Sequence, residues 1–271
     1  MSSPIKWHGG KHYLARRIVE LMPPHVHYVE PYFGGGAVLL AKDPEGVSEV
    51  VNDIDASLTT FWSVLQSARD FPAFIREIQA VPFSEAEFRD AEEGLRSPST
   101  RVELAVAFFV RCRQSLAGRM QEFATLSRRR TRRGMNEQVS AWLSAIEGLP
   151  EVHARLKRVA ILCRDALDVI RQQDGPETLF YLDPPYWPDA RTAKEVYRYE
   201  MTQTQHVDLL KRLSHIKGRF LLSGYRNPTY DRHAADWEWR RVDFDLPNNA
   251  AGGAQKRRMT ECVWMNYKPE A

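Results

Sequence analysis

Hydrophobic positions along the chain change period several times, and each change marks an element. The unbroken run Thr178-Leu179-Phe180-Tyr181-Leu182, set between Gly175-Pro176 and Pro184-Pro185, predicts a short buried strand that stops abruptly in a loop. Shorter β-type runs at His27 to Glu30, Val47 to Val51, Val159 to Leu162, Phe220 to Ser223, Trp237 to Phe244 and Glu261 to Tyr267 predict further strands. Helical spacing separates them. Lys11 to Leu21, Ala37 to Lys42 and Ala166 to Gln172 are predicted helices, and Thr204 is the expected cap of another that carries Val207, Leu210 and Leu213. From Ser57 to about Leu116 the pattern is helical throughout. Leu58, Phe61, Trp62 and Leu65 share one face there, and Val102, Ala105, Phe109 and Leu116 another. Asn136 then caps a helix with Val139, Trp142, Leu143 and Ile146 on its apolar side. Strands alternating with helices on either side of a purely helical stretch predict an α/β sheet domain with a helical insertion.

Two glycine-rich stretches fall where a sheet of this kind binds ligands. His27 to Glu30 runs into Pro31-Tyr32-Phe33-Gly34-Gly35-Gly36 and then a helix, which is a nucleotide-type unit: glycines let backbone N–H groups approach a ligand. The second strand ends in Asn52-Asp53-Ile54-Asp55, and Asp53 stands about twenty positions after Gly34, where an acidic side chain grips ribose hydroxyls. The spacing is not that of G-x-G-x-x-G, which counts against a dinucleotide. Ahead of both, Lys6-Trp7-His8-Gly9-Gly10-Lys11 combines a bend open to close backbone approach with a point charge, Lys11, suited to a carboxylate or phosphate. Taken alone it is also an ordinary helix start, and Trp7 is more often a core residue than a stacking ring.

Asp183-Pro184-Pro185-Tyr186 carries the most specific chemistry. Proline fixes its own φ and pushes the preceding residue into extended backbone, so the Asp183 carboxylate and the Pro184 carbonyl are expected to project as two neighbouring acceptors, with Tyr186 as a flat face beside them. Such a pair suits an exocyclic amino group on a planar base. The lone pair of that amine is delocalised into the ring until both N–H bonds are gripped, and a tyrosine can stack on a base swung out of its duplex. The amino group of adenine and that of cytosine satisfy the pair equally. As a bare tetrapeptide the motif is also a simple turn after a strand.

Composition narrows the classes. With 271 residues, 43% hydrophobic and 27% charged, the chain matches an ordinary globular protein, and no apolar run is long enough for a membrane span. The first residues hold no apolar export segment, so an intracellular location is expected. Cys112, Cys163 and Cys262 are too few and too scattered for a disulfide framework or a zinc site, and are read as reduced and structural; no metal is expected. Net charge is only +3, but it is unevenly spread. Arg111, Arg113 and Arg119 precede Arg128-Arg129-Arg130-Thr131-Arg132-Arg133, and Lys256-Arg257-Arg258 follows a Gly252-Gly253 turn. Runs of this kind are either solvated loops or arms on a phosphate backbone. The helix after Asn136 brackets the first run with ordered structure, which favours the arm.

Together these motifs resemble the Dam-type family of DNA adenine-N6 methyltransferases, the D12, alpha-group class. Lys6-Trp7-His8-Gly9-Gly10-Lys11 is similar to its K-W-x-G-G-K opening, Glu30 to Val38 to E-P-F-x-G-G-G-x-V, Asn52 to Asp55 to N-D-I-N, and Asp183 to Tyr186 to D-P-P-Y, in the same order. The resemblance covers roughly residues 5 to 65 and 155 to 267. It implies a Rossmann-like, mixed sheet of seven strands with the last antiparallel, S-adenosylmethionine as donor and double-stranded DNA as partner, with neither metal nor membrane. It divides the chain into a catalytic domain, residues 1–66 and 151–271, and a helical target-recognition insertion, residues 67–150. Trp7, Lys11, Glu30, Gly34, Gly35, Gly36, Asp53 and Asp183 become donor-binding positions, and Asp183, Pro184, Pro185 and Tyr186 the catalytic set. Arg128, Arg129, Arg130, Arg132, Arg133, Lys256, Arg257 and Arg258 become DNA contacts. Residues 85 to 150 do not match the segment by which the best-known members of the family read GATC, so the recognition sequence stays open, as does action as a monomer. Cytosine-N4 methylation is the nearest alternative, and a nicotinamide oxidoreductase would leave the Asp183 motif without a purpose.

Overall fold

A computed structural model describes residues 1–187, 199–247 and 258–269. Its elements in chain order begin with α1 (Ala15–Glu20), β1 (His27–Glu30), α2 (Ala37–Ala41) and β2 (Ser48–Asn52). Then come α3 (Ala56–Gln66), α4 (Phe71–Ala80), α5 (Glu85–Arg96), α6 (Arg101–Gln114), a hairpin of β3 (Thr131–Arg132) and β4 (Met135–Asn136), α7 (Glu137–Glu147) and α8 (Leu149–Leu156). The last third holds β5 (Val159–Leu162), α9 (Ala166–Gln173), β6 (Thr178–Leu182), α10 (Gln203–Leu213), β7 (Arg219–Tyr225), α11 (Pro228–Asp236), β8 (Arg240–Pro247) and β9 (Arg258–Met265). By contact density the described chain falls into two units: residues 1–19, 34–43 and 55–161, and residues 20–33, 44–54 and 162–271.

The seven-stranded sheet runs in the order β5-β2-β1-β6-β7-β9-β8, and its strands from β2 to β8 in that order belong to the second unit. β1 pairs in parallel with β2 and β6, β6 in parallel with β7, and β9 runs antiparallel between β7 and β8. Every residue of β6 is buried, as a strand covered on both faces requires, which is why its sequence is an unbroken apolar run rather than an alternating one. Val29, Phe180, Leu182, Phe220, Leu222 and Trp264 from the strands pack with Val169 and Ile170 of α9 and Leu209, Leu210 and Leu213 of α10. Strand order reverses between β1 and β6. An open α/β sheet leaves a crevice beyond the carboxyl ends of its strands at such a point, and Glu30 and Asp183 stand at those two ends.

The first unit is helical and its core is aromatic. Phe61, Trp62, Phe74, Phe108, Phe109 and Trp142 are all essentially excluded from solvent. The Phe61 ring lies 5.5 Å from Phe108 and 5.0 Å from Trp62, and Phe109 5.3 Å from Trp142. Asp55, Ser84, Thr100 and Asn136 each cap a helix here with a side-chain oxygen on the backbone N–H groups of its first turn.

Several expectations shift. The first helix begins at Ala15 rather than Lys11, because Lys11 to Leu14 turn tightly with Lys11 Nζ bonded to the Gly9 carbonyl. Thr202, not Thr204, caps α10: it accepts from Gln205 N–H while Gln205 Oε1 accepts from Thr202 N–H, a reciprocal box that Thr204 is too far into the helix to make. Leu116 and Leu143 are exposed rather than core, Leu116 because α6 has already ended at Gln114. Trp237 belongs to the end of α11, so β8 begins only at Arg240. α8 and α11 were not expected, each opening on a proline in its first turn that reads as a breaker in isolation. Cys112 and Cys262 are buried, but Cys163 is exposed, so only the first two serve the core.

Candidate functional site

In the first unit the glycine turn is shaped by Trp7. A β-carbon built on Gly34 would lie 2.6 Å from Trp7 Nε1, and one on Gly35 would lie 2.7 Å from Trp7 Cβ, so both glycines are needed for the indole to approach. Gly34 and Gly36 also hold φ of 48° and 67°, where a side chain is strained. Trp62 Nε1 donates to the Gly34 carbonyl at 3.0 Å and steadies the turn from α3. Lys11 is buried, its ammonium 2.9 Å from the Gly9 carbonyl across the Gly9-Gly10 bend. Trp7, Gly34 and Gly35 are thus in contact, with Lys11 four residues after Trp7 and Gly36 next in the turn.

In the second unit the loop ends are stapled by Asn52. Its Nδ2 donates to the Pro31 and Arg164 carbonyls, each at 3.0 Å, and its Oδ1 accepts from Arg164 N–H at 2.9 Å. This buried amide ties together the chain after β1, after β2 and after β5, and it places Asp53, whose own N–H bonds Leu162 O at 3.4 Å. Glu30 is buried and accepts from Tyr28 Oη at 2.6 Å. Asp183 is partly buried at the end of β6, two residues after Tyr181, whose hydroxyl meets Ser223 Oγ of β7 at 3.0 Å. Burial, then the nearby Asp183 charge, pushes the Tyr181 hydroxyl well above its ordinary pKa.

Sequence reasoning missed the groups around Tyr186. Its hydroxyl donates to Glu261 Oε1 of β9 at 2.5 Å, and its ring meets Tyr225 of β7 edge-on at 4.4 Å. The available signal was Glu261 itself, a lone acid opening the apolar run Cys262 to Met265.

The arginines divide into two groups. Arg111 is buried, stacked over the Phe88 ring at 3.9 Å and bonded to the Phe88 carbonyl, and Arg113 donates to the Ala141 carbonyl, so neither belongs to an exposed basic stripe. The run from Arg128 folds as a hairpin rather than a plain loop, turning at Arg133-Gly134 with both residues at positive φ. Arg133 makes two bonds of 2.9 Å to the Glu147 carboxylate and a third to Ser144, and Arg130 reaches Glu137 at 3.3 Å. Arg128, Arg129 and Arg132 are exposed and have no side-chain partner among the described residues. Lys256, Arg257 and the Gly252-Gly253 turn lie outside the described residues, as does most of the loop from Tyr186 to Glu200; Arg258 opens β9.

A buried strand that delivers Asp-Pro-Pro-Tyr beside the end of β1, in a sheet of seven strands with β9 reversed, is the arrangement the resemblance implies. The sequence profile described as D12 class N6 adenine-specific DNA methyltransferase matches residues 7–240. The chain belongs to this family. It is 23% identical to the Type II methyltransferase M.MjaIII of Methanocaldococcus jannaschii, over 97% of this chain and 98% of that one. To the Type II methyltransferase M1.LlaDCHI of Lactococcus lactis subsp. cremoris it is 25% identical, over 97% of this chain and 94% of that one. The methyltransferase therefore acts on DNA, at the N6 amine of adenine, and cytosine-N4 is not favoured. Membership implies S-adenosylmethionine as the methyl source in general terms. Among the described residues no group of three or more His, Cys, Asp or Glu could hold a metal, and no helix is long and apolar enough to cross a membrane.

Proposed function

We propose that this methyltransferase modifies an adenine flipped out of duplex DNA, within a specific sequence, and that Asp183, Pro184, Pro185 and Tyr186 carry the reaction. The observation that carries the reading is the placement of Asp183 at the carboxyl end of the fully buried β6, at the point where strand order reverses. Asp183 and the Pro184 carbonyl accept the two N6 hydrogens. That draws nitrogen toward tetrahedral geometry and frees its lone pair. Pro185 keeps the turn stiff, and Tyr186 stacks on the extruded base.

S-Adenosylmethionine supplies a methyl on a positive sulfur that is already a good leaving group, so orientation provides much of the acceleration and no metal or covalent enzyme intermediate is required. The residues present suit it chemically. Asp53 offers a carboxylate to ribose hydroxyls, Asp183 and Glu30 add acidic groups for an ammonium, and Lys11 a cation for a carboxylate. Trp7 and Gly34 to Gly36 supply the close-packed turn. Residues 67–150 act as the recognition insertion, with the exposed Arg128, Arg129 and Arg132 and the later Lys256, Arg257 and Arg258 on DNA, and a single chain suffices for this chemistry.

The test is incubation with unmethylated duplex DNA and donor labelled in its methyl group, followed by digestion to nucleosides, with Asp183→Ala alongside. Label is expected in N6-methyladenine for the wild type. In the variant, transfer falls by at least about 10³-fold while its circular dichroism melt is retained. Substantial transfer by folded Asp183→Ala would refute the assigned role.

A further inference from the structure

Glu261 lies 75 residues beyond Tyr186 in the chain, yet it takes the hydroxyl of that ring. It sits on β9 directly opposite Tyr225 of β7 in the antiparallel ladder, and Tyr225 in turn touches the Tyr186 ring edge-on, at 68° between planes. The two strands thus present an acceptor and a second aromatic ring to one loop residue. Glu261 is only 5% exposed. Burying a carboxylate costs far more desolvation than burying an apolar side chain of similar size, so packing alone does not account for an acid here. The hydroxyl it binds is held firmly protonated: burial, then the Glu261 and Asp183 charges, push the Tyr186 pKa far up.

The neighbouring residue is held as well. Trp187 packs 5.3 Å from the imidazole of His206 on α10 and stands edge-on to Tyr230 on α11, and His206 Nδ1 and Tyr230 Oη are 2.8 Å apart. A tyrosine gripped only through its backbone would rotate about χ1 and χ2. Anchored at the far end of its ring, it keeps its face in one plane.

We propose that Glu261 is a positioning residue for base stacking: by accepting the Tyr186 hydroxyl it sets the plane of the ring on which the flipped adenine rests, with Tyr225 packed against that ring. This rests on the assignment of Tyr186 as the stacking residue. Glu261 does not touch substrate in this account; its effect on methyl transfer passes through the Tyr186 ring.

The experiment is a double-mutant cycle in methyl transfer, using Glu261→Ala, Tyr186→Phe and their combination, with Glu261→Gln as the conservative variant and donor affinity measured in parallel. Glu261→Ala is expected to lower kcat about tenfold with donor affinity unchanged within about twofold. Tyr186→Phe, which removes the hydroxyl but keeps the ring, should fall by a similar factor. The combination should be no slower than either, and Glu261→Gln, which keeps an acceptor, should recover most of the loss. Should Glu261→Ala fail to fold, Tyr186→Phe and Glu261→Gln still decide the matter. Full activity in Tyr186→Phe, additive losses in the pair, or no recovery by glutamine would overturn the inference. A wild-type protein that methylates no adenine would instead overturn the reading of Tyr186 beneath it.

Discussion

At the residue level, chemistry in this protein depends on which polar groups are withdrawn from water. Lys6 illustrates this beside the better-known motif residues. Its ammonium donates to Gln138 Oε1 at 3.0 Å, and burial, reinforced by the nearby Arg113 and opposed by Glu137, lowers its pKa to about 8. The folded chain therefore gives up this proton before the unfolded chain does. Between about pH 8 and the ordinary lysine value the unfolded state binds more protons, so this residue's contribution to stability rises with pH through that window. Below about pH 8 both states are protonated and the burial penalty is present in full. Thermal melts of wild type and Lys6→Met between pH 7.5 and 9.5 should show the wild type gaining on the variant as pH rises; parallel curves would mean the ammonium is solvated. Composition gave no hint of this, since Lys6 and Lys11 look alike in sequence and differ in what the fold packs around them.

Among the elements, the β3–β4 hairpin shows how a charge run resolves into separate jobs. Its two-residue turn at Arg133-Gly134 is type I′ in character, and Arg133 is spent on Glu147 and Ser144 of α7. The pairing holds the Glu147 carboxyl below, and the Arg133 guanidinium above, their usual ranges. Arg132, exposed on the adjacent strand residue, has no such tie. Arg132→Ala should weaken DNA binding and reduce the salt dependence of log K by about one unit of slope, the loss expected for one phosphate contact. Arg133→Ala should change that slope less but make the hairpin more sensitive to limited proteolysis. Equal slopes for the two variants would show that the division into anchor and contact is wrong. The glycine and proline signals for β6, β1 and the turn after Phe33 were plain in sequence because they act within a few residues; the hairpin was not, because two-residue strands are too short to carry a period.

On the scale of the whole molecule, the sheet works as a register that brings distant loops to one edge. Asn52 is its fastener, bonding backbone groups of Pro31 and Arg164 from a position 1% exposed. Asn52→Ala should leave those groups without a partner and destabilise the protein by about 2–4 kcal/mol, a loss visible as a lower denaturant midpoint with an unchanged slope. An effect below about 1 kcal/mol would mean water replaces the amide at little cost. Asn52 is plain in the motif Asn52-Asp53-Ile54-Asp55, where the carboxylates carry the more obvious chemistry. Nothing local says that the amide faces inward.

The chain by itself determined the seven strands of its main sheet, most of its helices, the glycine turn and the Asp183-Pro184-Pro185-Tyr186 motif. Periodicity, proline stiffness and glycine freedom are properties of neighbouring residues, and the order of the motifs was enough to point to the family. Only the tertiary structure decided which charges are occupied and which face solvent: Arg111 and Arg133 are held within the protein, while Arg132 is not. It also decided that Glu261 meets Tyr186. That contact joins residues 75 apart through the ladder of β7 and β9, and a one-residue slip in that ladder would turn the carboxylate to the opposite face.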